Sequence, residues 1–217
     1  MVKVIEKDNP LQDHTKLDYY ECYAKIVLEE MFPERFSDLV ILDTPDLQNE
    51  QLDVGVEVTS SINPKQKEAE ALYVKWHNQA NEVKKKTERQ IERCGAKLNN
   101  GVLQGIAGHD NLNRIYSILN NKIEKNSTYK SFGKQYLFIF SDIFATSNMQ
   151  EKALEEMHHI CSLASNKFDG IYVLVPEAIY AFDLANNAIC ERKISTNIQC
   201  LQAQSAREMV IQEEKLP

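Results

Sequence analysis

Two short runs constrain this chain's fold more than anything else in it. Tyr136 to Phe140 and Gly170 to Val175 are nearly unbroken stretches of aliphatic and aromatic residues. At that length, and with that share of β-branched and aromatic side chains, they read as buried strands. Met149 to Lys167, between them, has the spacing of an amphipathic helix. Two extended segments come earlier, Leu39 to Leu42 and Val54 to Thr59, and the polar Asp43 to Asp53 stretch reads as the hairpin connection joining them.

The remaining segments are mostly helical. Thr15 to Met31 sets Leu17, Ala24, Leu28 and Met31 on one side, and Pro33 stops it. Pro64 suits the first turn of one long helix running to Arg93, with Leu72, Trp76, Ala80 and Val83 as its core side. Asp110 to Lys125 carries Leu112, Ile115, Leu119 and Ile123 at helical spacing. A short strand is expected at Val102 to Ile106, and a terminal hairpin at Tyr180 to Asp183 with Ile189 to Ile194, turning at Asn186-Asn187. A polar tail from about Gln204 is helical or frayed. Strands and helices mix rather than segregate, which predicts an α/β fold with a mixed sheet flanked by helices. With 217 residues and neither an internal repeat nor a low-complexity linker, a single domain over 1–217 is the simplest organisation.

Composition narrows the setting. The chain has no apolar run long enough for a membrane span and no signal-peptide pattern, so a cytoplasmic protein without membrane partners is expected. Its five cysteines are scattered and never form CxxC, which points to reduced thiols rather than a zinc cluster or disulfide framework. A net charge of −7 argues against a broad nucleic-acid clamp and requires any basic contact surface to be local.

Chemistry concentrates on two acids. Asp46 follows Pro45 in a turn, and Glu57 interrupts an aliphatic strand whose Val56 and Val58 face the other way. A buried carboxylate without a partner is costly, and a divalent cation such as Mg²⁺ suits two converging carboxylates. The bland alternative is an edge strand with Glu57 in water and Asp46 merely opening a turn. Glu21 falls on the core stripe of the first helix, where it either supports such a site or pairs with a basic neighbour. Lys122 continues the Leu112, Ile115, Leu119 stripe, a position from which lysines commonly snorkel to water. His158 and His159 are adjacent and cannot face one ion together, while His77 and His109 lack ligand-spaced partners.

Pro45-Asp46, a ten-residue spacer and Glu57-Val58-Thr59 together resemble the active-site signature of the PD-(D/E)XK nuclease superfamily. The resemblance covers roughly Thr15 to Trp76 and implies a restriction-endonuclease-like fold, a mixed central sheet flanked by helices. It further implies a Mg²⁺- or Mn²⁺-dependent phosphodiesterase of DNA, held by Asp46, Glu57, Glu21 and the Val58 carbonyl. Many members act as homodimers. The chain departs from the pattern at Thr59, where the family has a lysine that positions the attacking water. Threonine supplies no cation, so Lys65, Lys67 or Lys122 is expected to replace it. Otherwise the domain is a nuclease-like binding or regulatory module without turnover. The basic stretch Lys84, Lys85, Lys86 and Arg89 either contacts phosphates or forms a solvated face paired along the helix with Glu82, Glu88 and Glu92.

Overall fold

A computed structural model describes residues 11, 14–77, 79–105, 112–126, 130–143, 147–164 and 167–216. The expected positions Ile106, His109 and Asp110 lie outside them. The chain groups into two compact units, one built on 62–108 and the other on 14–61 with 109–217.

The larger unit is a mixed α/β layer structure. Its elements are α1 (Tyr19–Met31), β1 (Val40–Ile41), β2 (Leu47–Asn49) and β3 (Val54–Ser60) before the smaller unit. After the smaller unit the chain adds the remaining elements of the larger one. They are α4 (Asn113–Asn126), β6 (Lys134–Phe140), α5 (Ser147–Ser162), β7 (Gly170–Val175), β8 (Ala178–Asp183), β9 (Ala188–Lys193) and α6 (Thr196–Glu214). One sheet runs β1-β2-β3-β6-β7-β8-β9. Its β3–β6 and β6–β7 pairings are parallel and the others antiparallel.

Side-chain alternation divides the core. Leu137 and Ile139 of β6 point to the same side as Ile171 and Val173 of β7, where they join Ile115 and Leu119 of α4 and Ala153, Leu154 and Met157 of α5. Burying one such leucine contributes about 1.5–3 kcal/mol. The opposite set, Tyr136, Phe138 and Phe140, lies among aromatics: Phe36 meets Tyr136, and Tyr20 and Tyr23 meet Phe140 edge-on or tilted. Helix α1 packs against α6.

Several elements differ from expectation for identifiable reasons. Helix α1 starts at Tyr19 rather than Thr15 because the Asp18 carboxylate caps it, accepting from Tyr20 N at 2.7 Å and Glu21 N at 3.3 Å. Strand β2 lies inside the stretch expected to be a bare connection. All three of its residues are buried, since Gln48 and Asn49 donate to backbone carbonyls of the adjoining loops. The polar tail from about 204 is the second half of α6, whose Gln202, Ala206 and Val210 are buried. Among the described residues no helix is long and apolar enough to cross a membrane. Cysteines 22, 94, 161, 190 and 200 are all free thiols.

The smaller unit holds α2 (Pro64–His77), α3 (Asn81–Arg93), β4 (Lys97–Asn99) and β5 (Val102–Gln104). The single long helix expected from Pro64 to Arg93 is therefore two. They pack on each other, tied by Trp76 Nε1 donating to Glu88 at 2.9 Å and Thr87 donating to Gln79 at 2.6 Å. Ala80 and Val83, expected on the core side, are exposed because the chain turns there. Ala69, Ile91, Cys94 and Ala96 form the unit's own small core. Strands β4 and β5 close a hairpin at Asn100-Gly101, both at positive φ.

Candidate functional site

Strand β3 lies between β2 and β6, and its first five residues are buried. Glu57 is 5% exposed, so the solvated-edge alternative does not describe it. Register places Glu57 beside Leu137 of β6, which turns it to the side covered by α4. Across the sheet, Leu47 pairs with Val56 in antiparallel sense. One step further along that ladder brings Asp46 alongside Glu57. The Asp46 carboxylate accepts the Val58 amide at 2.6 Å. A residue's N–H and C=O point to the same side of a strand, so the Val58 carbonyl opens toward Asp46 as well.

Two neighbours hold Asp46 there. Buried Gln48 donates its side-chain amide to the Pro45 carbonyl at 2.8 Å and reaches the Asp43 carbonyl at 3.3 Å, clasping the turn that carries Asp46. Gly55 lets that turn lie close. A Cβ at position 55 would stand 2.8 Å from Pro45 Cγ and 2.7 Å from Phe132 Cδ2. Neither residue is conspicuous in the sequence: a glutamine in a polar stretch reads as loop, and a glycine in a strand signals only some close approach.

Glu21 occupies the first turn of α1. A helix N-terminus favours a carboxylate, yet Glu21 is pushed up to about 7, first by burial and then by the charges of Asp46, Asp18, Asp43 and Glu57. Asp46 rises to about 6 through burial, with the Val58 hydrogen bond opposing the shift, Glu57 adding to it and Lys122 opposing it. Burial and like-charge repulsion outweigh the favourable terms in both. The charges of Asp46 and Glu57 thus raise Glu21, and that of Glu57 raises Asp46, so these carboxylates act on one another.

Helix α4 brings a cation to Glu57. Lys122 Nζ is ion-paired to Glu57 Oε1, with the two side chains 21% and 6% exposed. Lys122 sits three residues after Leu119 on the buried stripe, so the helix that covers Leu137 also delivers the lysine to Glu57. Thr59, two residues beyond Glu57 on β3, registers with Ile139 and shares its face. Lys65 and Lys67 lie in the first turn of α2, in the smaller unit. There too are Lys84, whose Nζ lies over the Trp76 ring at 4.5 Å, and the exposed Lys85, Lys86 and Arg89. His158 and His159 are exposed on α5. Among the described residues no three His, Cys, Asp or Glu side chains are grouped as a ready-made metal site.

Compared with known proteins, the chain matches no family model, no curated protein and no solved structure.

Proposed function

We propose that the protein is a metal-dependent phosphodiesterase that cleaves DNA, with a restriction-endonuclease-like architecture and a site made of Asp46, Glu57 and Lys122. The observation that carries the reading is the ion pair between Lys122 and Glu57, beside a carboxylate aligned with Glu57 across the β2–β3 ladder. An acid in the turn that leads into one strand, an acid on the next strand and a lysine against that second acid form the set that this chemistry needs. Lys122 takes the part left open by Thr59.

The donors fit Mg²⁺ or Mn²⁺. Mg²⁺ needs only one or two carboxylates because it keeps several of its waters, and the raised values at Glu21 and Asp46 mark a place where added positive charge is favourable. Asp46 and Glu57 would hold the ion with the Val58 carbonyl, and Glu21 would support it through water. When bound, such an ion polarises a phosphoryl oxygen and acidifies a water. Lys122 orients the attacking water and offsets negative charge developing on the phosphate. Asp46 and Glu57 stay in place because Gln48, Gly55 and the Val58 amide leave them little freedom.

The test is cleavage of plasmid DNA with Mg²⁺ or Mn²⁺ by folded Asp46→Ala, Glu57→Ala and Lys122→Met proteins. Each is expected to lose activity by about 10²–10³-fold, the usual cost of removing one group that stabilises a transition state. Undiminished cleavage by the two acid variants would overturn the reading. Metal-dependent binding with no turnover in the native protein would favour the inactive, nuclease-like module instead.

A further inference from the structure

The acidic chain contains a basic unit. Between Ile62 and Gly105 the sequence has nine Lys or Arg against five Asp or Glu, a net of +4 in a chain of −7. Since the described residues 62–105 have a core of their own, the asymmetry belongs to a folded part and not to a tail.

Its positive charge is concentrated on α3. At 100° per residue, Lys85, Lys86, Arg89 and Arg93 fall within an arc of roughly 100°, opposite the buried Thr87 and Ile91. All four are exposed. Lys84 is not part of this face, because it turns to Trp76. Glu82, Glu88 and Glu92 are spaced to neutralise the row by pairing along the helix. They do not: among the described residues every ion pair lies elsewhere. Glu88 accepts from the Trp76 indole instead. The row is thus left unneutralised, with Lys97 of β4 exposed on the strand that follows α3.

We infer that the Lys85, Lys86, Arg89, Arg93 face of α3 is the surface by which this protein docks on the phosphate backbone of DNA. An unpaired row of cations along one helix is complementary to a regular row of phosphates, and it supplies affinity without reading sequence. It meets the requirement that basic contacts on an acidic protein be local. The inference takes its substrate from the function proposed above, but its test reads binding in the absence of any divalent cation, so the two fail separately.

The experiment uses the full chain, EDTA and a fluorescently labelled DNA duplex of about 20 base pairs, with anisotropy read across a salt series. Changing Lys85, Lys86, Arg89 and Arg93 together to Gln is expected to weaken binding at least 10-fold at low salt and to lower the slope of log K against log salt by about 0.9 for each phosphate contact removed. The matched control changes Lys134, Lys152, Lys167 and Lys193 to Gln; all four are exposed in the larger unit and outside the ion pairs described. It removes the same charge and is expected to leave the slope in place. Thermal unfolding of both variants checks that they fold. Equal losses in the two variants, an unchanged slope in the α3 variant, or native protein that binds anionic phosphatidylserine vesicles but not the duplex would each overturn the inference.

Discussion

The two units handle charge in opposite ways. Around β3, acids are gathered where burial makes them costly, and one lysine, Lys122, is drawn in to face Glu57. On α3, cations stand in water with no acid paired to them. A net charge of −7 averages over both and describes neither. Buried charge of this kind is a property of a site, because a partner, a bound ion or a proton must relieve it. An exposed row tunes association instead, and contributes little to stability.

The contrast is broken most strongly at Lys122. Lys122→Met removes the cation ion-paired to buried Glu57, and removing one partner of a buried pair costs about 3 kcal/mol; urea unfolding at neutral pH measures it. The partial exposure of Lys122 sets the low end of that range as the expectation, and Lys122→Met/Glu57→Gln should recover most of the loss. The four-residue change on α3 is expected to shift stability by less than about 0.5 kcal/mol, since it touches only surface charge. Equal destabilisation by the two changes would erase the distinction.

Gly55→Ala comes next. The new methyl meets Pro45 and Phe132 inside ordinary contact distance, and overpacking costs about 1–3 kcal/mol. Because Pro45 precedes Asp46, cleavage should fall more than duplex binding does. Comparing kcat with anisotropy on the same protein separates these effects.

A pH-dependent effect is expected at Glu21. Its folded value, about 7, lies above the unfolded value of 4.5, so the folded state holds the proton more tightly. Stability from this group is therefore lost as pH rises between those values. Asp46, raised from 3.8 to about 6, acts in the same direction over a lower window. Glu21→Gln should thus stabilise the protein at pH 8 relative to native and change little at pH 4, as thermal melts at the two pH values would show. A gain confined to acid pH would contradict the electrostatic description.

What was legible in the sequence follows from how each element is held. Strands β3, β6 and β7 were visible because apolar side chains hold them. Strand β2 was not, because Gln48 and Asn49 are buried by hydrogen bonds to loop carbonyls that no local pattern reveals. The break between α2 and α3 is likewise set by a side-chain bond twelve positions apart, Trp76 to Glu88. Helix α6 resembled a tail because Gln202, Ala206 and Val210 make a small and partly polar stripe. At the site, Asp46 and Glu57 stood out by residue type and spacing. Lys122 showed only as a lysine out of place on an apolar stripe. Gln48 and Gly55 gave no chemical signal, since they act through the backbone.

The most direct test of the central claim is a crystal of the native protein soaked in Mn²⁺, with data collected for anomalous scattering. The expected result is a peak at the Asp46 and Glu57 carboxylates, the residues that would hold the ion, with Lys122 still paired to Glu57. A peak elsewhere, or none at Mn²⁺ concentrations that support cleavage, would contradict the account.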